Sequence, residues 1–139
     1  MTKTIETDLD IYVKSALGKK AKNPILLDVR HLTSLADAFL ICHGTSNRQV
    51  TAIAEHIQRD LKKQGIKALS VDGLKEGHWV LMDYGHVVIH VFYESTRSFY
   101  DLEGLWSDAR RIRTQSLEQA AEDVDDGLDE DADESVFIE

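Results

Sequence analysis

The stretch His43-Gly44-Thr45-Ser46-Asn47-Arg48-Gln49 runs from an apolar segment through a glycine into a helical pattern. Free backbone N–H groups at such a helix start, with Thr45, Ser46 and Arg48 beside them, could hold a phosphate. The turn has neither the full glycine spacing of a dinucleotide loop nor the closing Lys-Ser/Thr of a nucleoside-triphosphate loop. Metal-assisted phosphoryl transfer also needs carboxylates that converge on magnesium. Asp28, Asp37, Asp72 and Asp83 fall singly on different segments, and the alternating pair Asp8 and Asp10 belongs to the opening helical pattern. A helix cap without a ligand is therefore the first reading of the Gly44-Thr45-Ser46 turn. A nucleotide-binding or nucleotidyltransferase-like enzyme is the alternative.

The remaining reactive side chains carry weaker signals. His31, His43, His56, His78, His86 and His90 include no His-x-x-x-His pair and no adjacent zincin-type glutamate, so no metal site is expected. His43, His86 and His90 could meet only through the fold, and His90, alternating with Val88 and Phe92, reads as a hydrogen-bonded sheet histidine. Cys42 is the single cysteine, which excludes an intrachain disulfide, and its place in the run "AFLIC" predicts a buried thiol. There is no Gly-x-Ser-x-Gly elbow. Lys62, Lys63, Lys67 and the "RRIR" run at 110–113 lack a nucleic-acid-binding signature, so strong direct nucleic-acid binding is not expected.

These residues must be positioned by a few elements. Ile5, Leu9, Tyr12 or Val13, and Ala16 or Leu17 recur at helical spacing. "ILLDV" and "DAFLICHG" read as strands joined by a linker too short for a crossover helix. Ser46 and Gln49 form a possible capping box ahead of Val50, Ala54, Ile57 and Leu61, with Gly65 as the left-handed stop. A strand near Lys67 to Val71 follows, then an antiparallel hairpin of Trp79 to Tyr84 and Val87 to Tyr93. A last helix opens at Ser95 and docks Phe99, Leu102 and Trp106, with Gly104 as its weak point. The expected fold is α/β, a mixed five-stranded sheet with about three helices.

The chain has 139 residues, 42% of them hydrophobic, enough for one core. Its net charge of -9 is unevenly spread: eleven acids and no Lys or Arg lie between Glu118 and Glu139, leaving 14 acids against 16 bases, a net of +2, in residues 1–117. Residues 4–113 are expected to form the domain and 114–139 an acidic tail that is disordered, solvated and dispensable. No segment reaches the roughly 20 apolar residues of a membrane span, and the opening residues lack a secretory pattern, so the expected location is the cytoplasm.

Alternation in "GHWVLMDYGHVVIHVF" puts Trp79, Leu81 and Asp83 on one face of a strand and Val80, Met82 and Tyr84 on the other. Both faces carry apolar area, and three helices give limited cover. A rigid tryptophan beside Leu81, with Asp83 to fix register, suits a protein-binding hot spot. Composition thus favours an adaptor over an enzyme.

"DAFLICHGTSNRQVTAIAEHI", "VDGLKEGHWVLMDYGHVVIHVF" and "TRSFYDLEGLW" closely resemble the ribosomal silencing factor family, also called the Iojap family, in order and spacing from about Leu9 to Trp106. The resemblance implies a nucleotidyltransferase-like fold without catalytic apparatus, no cofactor and no enzymatic activity. It implies a translation repressor that binds large-subunit ribosomal protein uL14 and obstructs the surface where the small subunit docks, with a possible homodimer when free. It assigns Trp79 as the leading anchor and matches Asp83, Tyr84 and Gly85 to the family's Asp-aromatic-Gly turn. His86 departs from the acidic residue usual after that glycine. Tyr100, Leu102 and Trp106 match the last helix, in packing or in contact.

Overall fold

The computed structural model describes residues 5–122. Its elements in chain order are α1 (Ile5–Leu17), β1 (Lys22–Asp28), β2 (Ala38–Gly44), α2 (Asn47–Lys63), β3 (Ser70–Asp72), β4 (Trp79–Asp83), β5 (Val87–Tyr93), α3 (Glu94–Tyr100), α4 (Leu102–Leu105) and β6 (Arg110–Arg111). The strands make one mixed sheet in the order β3-β4-β5-β2-β1-β6. Only β2 and β5 pair in parallel, and the other neighbouring pairs are antiparallel.

The sheet's two faces are covered unequally. Leu9, Tyr12, Val13 and Ala16 of α1 and Val50, Ile53, Ala54, Ile57 and Leu61 of α2 bury one face through Leu26, Leu40, Cys42, Val80, Met82, Ile89 and Val91. The β2-α2-β3 connection follows from that stripe, since α2 crosses β5 and β4 to deliver β3 at the sheet edge. On the other face a smaller cluster of Leu27, Val29, Phe39, Ile41 and Phe92 is capped by Leu102 of α4.

Several elements differ from expectation. The sheet has six strands rather than five, because Arg110 and Arg111 pair with Asp28 and Leu27 of β1. The segment expected near Lys67 to Val71 forms its strand at Ser70–Asp72. The last helix is split: Asp101 adopts φ 48°, ending α3, and its carboxylate then accepts from the Gly104 N–H to cap α4. Phe99 does not dock and is 81% exposed, whereas Leu102 is buried. Folded structure also continues past residue 113. Thr114 is buried, residues 115–122 are helical, and Leu117 packs against the larger core. Ser116 ties this segment to α1, its N–H donating to Asp10 Oδ1 at 3.0 Å and its hydroxyl to Oδ2 at 2.8 Å. The greater part of the expected acidic tail, residues 123–139, lies outside the described residues.

Candidate functional site

The segment before β4 is pinned to α2. The Thr51 hydroxyl donates to the Leu74 carbonyl at 2.9 Å, and the Gly77 N–H donates to the Gly73 carbonyl at 3.0 Å. Gly77 has φ +70°, and a Cβ there would lie 2.6 Å from the Asn47 carbonyl oxygen, so only glycine lets the loop press onto the first turn of α2. The His78 carbonyl then accepts from Tyr93 N–H at 2.8 Å, setting the register in which Trp79 faces Phe92.

Trp79 is half-buried on the thinly covered face. Its ring lies 4.7 Å from Phe92, which is fully buried and forms a floor, and 5.0 Å from Tyr100 of α3, which forms a wall and is 50% exposed. The indole Nε1–H donates to His90 Nδ1 at 3.2 Å. Phe99 packs edge-on against Tyr100 at 5.0 Å, extending an aromatic surface outward. Leu81 and Asp83 follow on the same face, half-buried, beside Val88. Asp83 Oδ1 accepts from the Gly85 N–H at 2.8 Å and so shapes the hairpin turn, where Gly85 has φ +90°. Tyr84 is turned to the opposite face, buried 5.7 Å from the Tyr12 ring. Burial pushes its phenol up to about 12. The fold thus brings Trp79, Leu81 and Asp83 together and places Tyr84 behind them.

Phe92, Tyr100 and His90 complete this surface and were not singled out as a group from sequence. The period-two pattern placed Phe92 and His90 on one face, but the approach of Tyr100 depends on the break at Asp101, for which propensity carries little signal.

The polar candidates resolve into internal contacts. Ser46 caps α2, its hydroxyl accepting from Gln49 N–H at 3.0 Å, while Gln49 Oε1 accepts from the Thr45 N–H and hydroxyl. The capping box therefore uses the Thr45 groups a phosphate would need. Beyond it, Ser46, His78, Trp79, Ser95 and Tyr100 line an open cleft of about 590 Å³. His43 Nδ1 lies 2.8 Å from Arg97 Nη1, and Arg97 Nε donates to Glu103 at 2.8 Å. Burial and the adjacent Arg97 push the His43 pKa down. His86 Nε2 lies 3.4 Å from the Tyr12 hydroxyl. His43, His86 and His90 thus serve three separate contacts, and among the described residues there is no group of three or more His, Cys, Asp or Glu that could hold a metal. Cys42 is fully buried, which raises its thiol to about 12. No described helix is long and apolar enough to cross a membrane.

Comparison with known proteins gives concordant matches. A family described as "ribosomal silencing factor during starvation" matches residues 2–136. The ribosomal silencing factor of Bacillus subtilis is 46% identical over 101 residues, spanning 73% of this chain and 86% of that protein. A crystal structure of a Chromobacterium violaceum protein superposes with a TM-score of 0.71 at 37% identity, covering 76% of this chain and 88% of the other. One from Bacillus halodurans gives 0.69 at 36% identity, covering 77% and 97%.

Proposed function

This chain belongs to the ribosomal silencing factor family, and we propose that it represses translation by covering ribosomal protein uL14 with its Trp79 face and so excluding the small subunit. Ribosome silencing is the family-level role. The partner uL14 and the steric mechanism are what the family resemblance implies, and the Trp79 surface supports them as a face suited to a protein contact. The observation that carries this reading is a partly exposed tryptophan held between a buried phenylalanine and a half-exposed tyrosine, beside Leu81. Such a ring buries further area on contact without ordering a flexible side chain, as binding hot spots do. Asp83 and Tyr84 act from the turn: one closes it with a hydrogen bond and the other anchors it to the core.

Repression by occupancy needs no covalent step. A moderate interface of roughly 800 Å² per partner suffices if dissociation is slow compared with subunit joining. The scaffold is then a nucleotidyltransferase-like fold without catalytic apparatus, working in the cytoplasm without a cofactor. A homodimer of the free protein would cover the same aromatic face, so self-association and uL14 binding compete. The acidic tail plays no part in the contact.

The test is a subunit-joining assay with purified large and small subunits. Added protein should reduce joined particles in proportion to its occupancy of the large subunit. Full occupancy of uL14 with joining at its normal rate and extent would refute the steric mechanism.

A further inference from the structure

We propose that His90 is a positioning residue for the contact surface, its Nδ1 fixing the Trp79 indole in the orientation presented to a partner. The inference rests on Trp79 being the anchor and goes beyond it by naming what sets the anchor's geometry. In the β4–β5 register Trp79 pairs with Phe92 and Leu81 with His90, so His90 lies diagonally across from Trp79 on the same face. An indole N–H can only donate, so His90 Nδ1 must accept and the imidazole proton must sit on Nε2. That Nε2 is buried and has no hydrogen-bond partner. The Phe39 ring stands edge-on to the imidazole at 5.2 Å and 75°.

A buried histidine with one unsatisfied nitrogen is a poor way to fill an apolar sheet face. Among Phe39, Ile41 and Phe92 an aliphatic side chain would pack without that cost. The hydrogen bond to Trp79 is what the imidazole supplies in return. Stacking on Phe92 and Tyr100 holds the plane of the ring, but the outer torsion of a tryptophan is broad and roughly two-fold, so ring contacts alone fix the orientation of the N–H edge only loosely. The Nε1–H to Nδ1 bond is not tolerant, because the turned ring would put a C–H against the acceptor. His90 therefore favours the observed orientation and lowers the cost of ordering the ring on binding.

The test uses the full chain with ¹⁵N-labelled indoles, which gives separate signals for Trp79 and Trp106. The Trp79 N–H should exchange with solvent at least about tenfold more slowly than that of Trp106, which is held by ring packing on Phe39. His90→Leu should abolish the difference and weaken binding to purified large ribosomal subunits about tenfold. His90→Asn, whose Oδ1 takes nearly the place of Nδ1, should restore most of both. If His90→Leu does not fold, the wild-type exchange comparison and His90→Asn decide. Equal exchange of the two indoles in the wild type would overturn the proposal. So would His90→Leu losing the bond while keeping full affinity, with Trp79→Ala binding poorly. If Trp79→Ala itself binds normally, the anchor assignment fails and the proposed role of His90 in binding goes with it.

Discussion

Replacing Trp79 with alanine tests the Trp79 surface most directly, provided that loss of fold is separated from loss of contact. The side chain packs on Phe92 at 4.7 Å and Tyr100 at 5.0 Å and donates one hydrogen bond to His90 at 3.2 Å. A fully buried tryptophan costs about 3 to 5 kcal/mol on truncation, and this partly exposed one should cost about 2. For a domain of this size that lowers the melting temperature by roughly 8 °C, leaving the protein folded at room temperature. On binding, the contact made by the exposed part of the ring is lost as well, at about 1.4 kcal/mol or more, a tenfold or larger rise in Kd for purified uL14. Leu61→Ala supplies the control. Leu61, on α2, is fully buried against the opposite face of the sheet, and its truncation should cost about 3 kcal/mol of stability with no change in affinity. Calorimetric titration of both variants, well below their melting temperatures, decides. A folded Trp79→Ala protein with wild-type affinity would refute the reasoning. Equal weakening by Leu61→Ala would do so too, since binding would then follow stability rather than contact.

Gly77→Ala forces a Cβ against the Asn47 carbonyl in a left-handed conformation and should cost about 2 kcal/mol or more, whereas Gly65→Ala, with open space around it, should cost about 1; denaturant midpoints give the comparison. Asp28 accepts two hydrogen bonds from the Arg30 guanidinium, at 2.9 and 2.7 Å, and these hold its carboxyl down at about 2. Because the folded carboxyl titrates below the unfolded one, its stabilisation of about 2 kcal/mol is complete above its ordinary 3.8 and is lost as pH falls toward 2. Asp28→Asn should therefore lower melting at neutral pH and flatten the fall between those two values. Truncation after residue 122 should leave melting and uL14 binding unchanged, while truncation after residue 113 removes the Ser116–Asp10 hydrogen bonds and Leu117 packing and should lower melting by several degrees.

Long periodic segments were legible in the sequence. The stripe of Val50, Ala54, Ile57 and Leu61 is buried as its spacing requires, Ser46 caps α2 while Gln49 reaches back to Thr45 rather than to the Ser46 N–H, and the hairpin turns at Gly85. These follow from local patterning or from contacts within a few residues. What the sequence did not disclose depends on distant pairing. β6 exists because two arginines reach the exposed edge of β1, and residues 115–122 are tied down by an aspartate on α1. Their composition alone is that of a solvated tail. The helix break at Asp101 is likewise a backbone choice, a non-glycine residue at φ 48°, stabilised by its carboxylate capping α4. That break separates Phe99 and Tyr100 from the buried Leu102, so Phe99, expected to dock, turns outward and Tyr100 stands beside Trp79.

Asp83 and His90 are polar side chains set among Trp79, Leu81, Val88 and Phe92 on one sheet face, and both are explained by the neighbours they hold. Asp83 spends an oxygen on the Gly85 N–H, fixing the turn that ends β4, and His90 spends a ring nitrogen on the Trp79 indole near its start. Burial lowers the His90 pKa to about 4, so at neutral pH it stays an uncharged acceptor. A purely apolar face would have been more stable against a covering helix, yet here Leu102 of α4 and Trp106 just after it cover the cluster around Phe39. The uncovered half is therefore built rigid by hydrogen bonds where a core would be rigid by packing. That is the property a preformed contact surface needs if a single factor is to hold a large particle long enough to block its partner.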